Sequence, residues 1–216
     1  MNYYTVVLFS FSVFIAAVIG WVRYKKIGNS FTPFIICLSV ATVNEICSFI
    51  ITAMHTSTAY NNNLYVLIEA MLITWQFKRW GLFKSRKLFT ALMMIISTCW
   101  IIDNFIISGF SAISLYFRMI YAYLIVMMSV NLMSTLIITE RKNLLRSSQF
   151  IICLGFIMFY TNKIIFEAFW LYGYNAPVFF TEILYWWLVW LNLLVNIFYA
   201  IAILWIPIKP RFIMPF

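Results

Sequence analysis

Charge is what this sequence has least of. Only 10% of its 216 residues are Asp, Glu, Lys or Arg, while 65% are hydrophobic and the mean hydropathy is +0.96. Soluble domains carry about 25% charged residues, so a water-soluble domain is excluded and lipid is the solvent for most of the chain. Histidine occurs once, at His55, and aspartate once, at Asp103. One histidine cannot supply the zinc ligands of membrane metallohydrolases of the ceramidase and adiponectin-receptor type, and one aspartate cannot form an intramembrane aspartyl protease dyad. No G-x-S-x-G is present for a serine protease, and the last apolar segment holds no lysine for retinal before Lys209. The signatures of G-protein-coupled receptors are missing as well, since Phe77-Lys78-Arg79-Trp80 stands where D-R-Y belongs and Asn196-Ile197-Phe198-Tyr199 where N-P-x-x-Y belongs. Cys37, Cys47, Cys99 and Cys153 lack metal-type spacing and lie in apolar runs, so we expect no disulfide, metal or cofactor. No run of Gly, Pro or Ser marks a linker.

What the chain has instead is long apolar runs. A bilayer core about 30 Å thick needs roughly 20 apolar residues per helix. Seven runs approach that length: Tyr3 to Val22, Thr32 to Met54, Leu64 to Phe77, Leu88 to Ile107, Ser114 to Ile138, Ser148 to Tyr172 and Phe179 to Ile206. They predict an all-α polytopic membrane protein, a single seven-helix domain over residues 1–216. Arg23, Lys25 and Lys26 follow the first run, Lys78, Arg79, Lys84, Arg86 and Lys87 the third, Arg141, Lys142 and Arg146 the fifth, and Lys209 and Arg211 the seventh. Thirteen of the 15 basic residues thus fall in alternate breaks. The positive-inside rule then puts the N-terminus outside and the C-terminus in the cytoplasm. The first run lacks a positive n-region and a cleavage site, which predicts a retained anchor. The net charge of +9 reflects juxtamembrane loops, so no nucleic-acid partner is expected. The 13 Tyr and 9 Trp suit broad contact with the membrane interface.

The remaining ionisable groups lie within the runs or at their margins: Glu45, Glu69, Asp103, Arg118, Lys163, Glu167 and Glu182. Each costs roughly 2.5–3.5 kcal/mol at the centre of a spanning helix, so such groups usually face an interior. By position all seven fall in the outer half, which predicts a shared polar cavity open to the external side. Helical spacing agrees. Glu45, Ser48, Thr52 and His55 share a face of the second span, and Asn62, Tyr65, Glu69 and Gln76 one of the third. Tyr160, Lys163, Glu167, Trp170 and Tyr174 share a face of the sixth, and Glu182, Tyr185, Val189, Asn192, Asn196 and Tyr199 one of the seventh.

A purely structural network is the alternative. Lys163 could pair with Glu167 four residues on, Arg118 could neutralise Asp103 or Glu69, and Asn44, Asn131, Asn162, Asn192 and Asn196 could join helices by hydrogen bonds. Five acids against two bases still leave three carboxylates to be protonated, hydrated or matched by a cation from outside. His55 reads as a loop or interface residue. A carboxylate hydrolase of the lysoplasmalogenase kind, with Glu45 or Asp103 in acid and base roles, stays open, as does a transporter or channel.

Three segments carry a family resemblance: Asn44-Glu45-Ile46, Asn63-Leu64-Tyr65-Val66-Leu67-Ile68-Glu69, and Trp190 to Ala200 with its paired Asn192 and Asn196. They resemble a family of small, uncharacterised seven-helix integral membrane proteins common in Bacteroidota. The resemblance covers most of the chain, with Lys163 departing from the sixth-helix pattern. Members are often encoded near sensor histidine kinases, which implies a sensory module in the bacterial inner membrane. The expectation is therefore a receptor-like binder of a small molecule or cation. Glu45, Glu69, Glu167 and Glu182 would supply negative charge, Arg118 and Lys163 would orient an anionic group or tune the acids' pKa, and Asp103 would belong to the same site. Tyr65, Tyr160, Trp170, Tyr185 and Trp186 would form walls, with Asn192 on the polar stripe. The basic loops would meet anionic lipid or a signalling partner.

Overall fold

The computed structural model describes residues 3–139, 144–172 and 178–207. Glu140, Arg141, Lys142, Tyr174, Lys209 and Arg211 lie outside them. The described residues form helices and no strand: α1 (Tyr3–Ser10), α2 (Ser12–Arg23), α3 (Thr32–Ala53), α4 (Ala59–Arg79), α5 (Arg86–Ile102), α6 (Leu115–Thr139), α7 (Ser148–Tyr172) and α8 (Val178–Trp205). The first apolar run is broken at Phe11, where the Ser12 hydroxyl donates to the Phe9 carbonyl at 2.6 Å instead of leaving the ladder undisturbed. A π-helical turn, Asp103–Ile107, prolongs α5.

Six helical segments are long and apolar enough to cross a membrane: Thr5–Arg23, Asn29–Ala53, Arg86–Ile107, Leu115–Ile138, Ser148–Leu171 and Phe179–Trp205. The chain is a multi-pass membrane protein on this ground. Helix α4 has 21 residues, a rise of about 31 Å, but carries Asn61, Asn62, Asn63, Glu69 and Gln76. It begins five residues before the Leu64 that opens the third apolar run, because its first turns are polar.

Side-chain contacts fix the direction of each helix. Asn61 donates to Asn44 at 2.8 Å and to Ser48 at 3.1 Å, which sets α4 antiparallel to α3. Tyr121 of α6 meets Glu69 of α4, and Asn63 meets Ser114 just before α6, so α4 and α6 run parallel. Arg118 and Glu167 set α7 antiparallel to α6, and Trp187 bonded to Asn162 sets α8 antiparallel to α7. Asn196 donates to Ser12 at 2.8 Å, while Arg23 donates to the carbonyls of Ile203, Leu204 and Ile206, so α2 and α8 run parallel. Arg23 thereby serves the exposed carbonyls at the end of α8.

The result is a closed ring in the order α2, α3, α4, α6, α7, α8, each packed on the next, with α5 outside against α4 and α6. Helix α1 leans on α8. Within α5 only Ile96 is buried, and Leu88, Met94, Ile95 and Ile101 face outward. Two reversals flank α4. Helix α3 ends with His55 at φ 57, its N–H on the Thr52 carbonyl and that of Thr56 on Ile51. Helix α4 ends the same way at Gly81, φ 83, with Gly81 bonded to Lys78 and Leu82 to Phe77. His55 is thus a turn residue, in keeping with its reading as a loop position. At the start of α3, Gln76 accepts the Phe34 N–H at 2.8 Å and donates to the Ser30 carbonyl at 2.6 Å.

Candidate functional site

The ring encloses a cavity of about 330 Å³, walled by residues from α1, α2, α3, α4, α6, α7 and α8. Of the residues expected to contact a ligand, Glu45, Tyr65, Glu69, Arg118, Tyr160, Lys163, Glu167, Tyr185 and Asn192 line it, and Asn44 and, from the polar stripes, Asn62, Val189, Asn196 and Tyr199 do so as well. Their common feature is a place on the ring-facing side of a helix, which is what 3.6-residue spacing selects.

Four of the expected site residues, Asp103, Glu182, Trp170 and Trp186, are elsewhere. Asp103 is buried but accepts the Phe117 N–H at 2.7 Å and the Ser108 hydroxyl at 2.6 Å. It stands in the π-helical turn after α5, outside the ring, and caps the start of α6 together with Asn63, which receives the Ser114 N–H at 3.2 Å. Glu182 is exposed in the second turn of α8, before that helix reaches the cavity wall. Trp170 is also exposed, and Trp186 does not line the cavity. Ser48 and Thr52 drop out of the α3 face, Ser48 to bind Asn61 and Thr52 to the surface. Gln76 shares a face with Glu69 but acts as the α3 cap described above.

Ion pairing departs from both local expectations. Lys163 pairs with Glu69 across the ring, 3.8 Å from Oε2, and Arg118 pairs with Glu167 at 3.2 Å. Lys163 does not pair with its own-helix Glu167, and Arg118 reaches neither Asp103 nor Glu69. Glu69 is the centre of a larger set. It accepts Tyr65 OH on Oε1 at 2.7 Å and Tyr121 OH on Oε2 at 2.8 Å, and Lys163 also donates to the Tyr121 oxygen. The Lys163 ammonium lies 5.0 Å from the Tyr121 ring centroid and 5.7 Å from those of Phe159 and Tyr160. Tyr121 was not among the sequence candidates. Its signal was available, since it follows Arg118 by one helical turn and shares its face.

Glu45 is different. Among the described residues no Lys or Arg pairs with it, and its neighbour is the hydroxyl of Ser10 on α1. The cavity wall therefore holds three carboxylates, Glu45, Glu69 and Glu167, against two committed cations.

Toward the end bearing Arg23, Lys78 and Arg146, the cavity meets an aromatic layer. Phe34 lies against Tyr199 and Phe156 with ring centroids 5.2 and 6.0 Å apart, and Phe156 against Tyr199, Phe77 and Tyr160 at 5.7, 6.0 and 6.0 Å. Gly155 makes this layer close. A Cβ there would stand 2.7 Å from Cε1 of Tyr199, so only glycine admits the ring at this position. The other polar residues near that end are occupied or turned away: Gln76 caps α3, Asn196 holds Ser12, and Asn131 is exposed. Among the described residues no group of three His, Cys, Asp or Glu side chains could hold a metal ion.

No protein-family model, curated protein or solved structure matches the chain.

Proposed function

We propose that this chain is a seven-span inner-membrane protein, N-terminus outside, whose cavity opens to the external side and serves as a receptor-like site for a small molecule or cation. The seventh span is α4: its length suffices to cross, and Asn63, Glu69, Thr74 and Gln76 are buried against other helices, away from lipid. The observation that carries the binding reading is Glu45, a carboxylate in the cavity wall that pairs with no Lys or Arg among the described residues. A volume of about 330 Å³ is within the range of small-molecule pockets. The aromatic layer, built largely of the Phe34, Phe77, Phe156 and Tyr199 rings, favours a blind pocket over a transport path. The use of Asp103 as a helix cap weighs against a Glu45 and Asp103 hydrolase. Membership of the seven-helix family of Bacteroidota, with the inner-membrane site and sensory role it implies, is part of this proposal. Lys78 over the Phe89 ring at 4.0 Å and Arg79 over the Trp75 ring at 5.7 Å would present the basic loop to anionic lipid or a signalling partner.

Filling the cavity tests the reading. Val189→Trp should abolish any ligand-induced rise in unfolding temperature seen with the native protein. A ligand whose effect survives the filling binds elsewhere, and Glu45-dependent flux through proteoliposomes would overturn the receptor in favour of a transporter.

A further inference from the structure

Resting on the pocket reading above, we infer that the cavity takes an organic ammonium monocation, its charged head against Glu45 and its apolar body among the aromatic walls.

Charge balance is the first argument. The wall bears one carboxylate more than it bears cations, and both cations are already engaged, Arg118 at 3.2 Å and Lys163 at 3.8 Å. A guest of charge +1 neutralises the wall, whereas an anion must compete with Glu69 or Glu167 for a partner it would leave uncompensated. The second argument is how this interior already houses an ammonium. Lys163 is held by one carboxylate, the Tyr121 hydroxyl and the neighbouring rings of Phe159 and Tyr160. That combination of carboxylate and aromatic cage is the general solution for a desolvated ammonium. The same cavity wall carries Glu45 and the rings of Tyr65, Phe166 and Tyr185, and among the described residues no Lys or Arg pairs with Glu45. The third argument concerns size and ligation. A hard metal cation requires about six or more oxygen ligands, but much of this wall is aromatic and aliphatic. Such a wall suits a guest whose charge is confined to one end.

Three probes of one shape and different charge test this on the full-length protein in detergent: phenethylammonium, phenethyl alcohol and phenylacetate, read by tryptophan fluorescence and unfolding temperature. The amine should bind about tenfold or more tightly than the alcohol, with phenylacetate weakest. Glu45→Gln should reduce the amine to the affinity of the alcohol while leaving alcohol binding intact, which also reports that the variant is folded. Glu182→Gln should change nothing. Binding of the alcohol or the carboxylate as tightly as the amine, or an amine preference that survives Glu45→Gln, overturns the inference and leaves the pocket standing. Binding by none of the three overturns the pocket reading with it.

Discussion

Helices α4 and α5 are neighbours in sequence and opposites in character. Helix α4 holds the polar side chains and α5 the apolar ones, yet α4 is the helix inside. Asn63 and Gln76 are 0% exposed and Glu69 is 7% exposed, while Met94 and Ile95 of α5 are 62% and 53% exposed. In water this arrangement would be inverted. In lipid it follows from the cost of exposing a polar group to hydrocarbon, which turns each one toward a partner on another helix. Helix α4 accordingly spends its polar groups as connections: Asn61 to α3, Asn63 to the start of α6, Glu69 to α6 and α7, and Gln76 to the start of α3. Helix α5 makes few such connections, the Trp100 indole on the Asn63 carbonyl at 2.8 Å being one.

The contrast can be broken most severely at its centre. Glu69→Leu leaves Lys163 without a carboxylate and two tyrosine hydroxyls without an acceptor, and should cost about 3–5 kcal/mol in unfolding of the detergent-solubilised protein. Glu69→Gln, which keeps an acceptor for the tyrosines, should lose less. On α5 the converse change, Ile95→Lys, puts a charge on the lipid face and should cost about 2.5–3.5 kcal/mol in an insertion assay. Next in size, Gln76→Leu removes the partner of the Phe34 N–H and should destabilise by about 1–3 kcal/mol, again by unfolding. Smallest is Met94→Ala, expected to stay within about 0.5 kcal/mol, since its side chain packs on no protein neighbour in the core. A large loss at Met94 would mean that α5 is covered by protein and that the comparison is misjudged.

Much of the helical layout was legible in the sequence, because a run of apolar residues about 20 long has few other uses. The break at Phe11 was not, since it has neither Gly nor Pro and depends on the Ser12 hydroxyl. The early start of α4 was hidden because Asn61 to Asn63 look like loop until their partners are known. Helical periodicity marked many of the side chains that meet in one cavity, but it could not say who pairs with whom. That depends on helix order. With α5 outside the ring, α6 closes directly on α4, which carries Asp103 away from the cavity and brings Tyr121 onto Glu69. Glu182 shows the limit of a stripe: the spacing continues along α8 past the point where the helix leaves the wall.

The central claim is a blind polar cavity open only at the end away from the basic loops. The most direct test replaces the four native cysteines by alanine, introduces Asn192→Cys in the cavity wall, and adds a membrane-impermeant thiol reagent to vesicles of each orientation. The account predicts labelling from the side of the α3–α4 turn and none from the side of Lys78 to Lys87. Equal labelling from both sides, or labelling from the basic side alone, would contradict it.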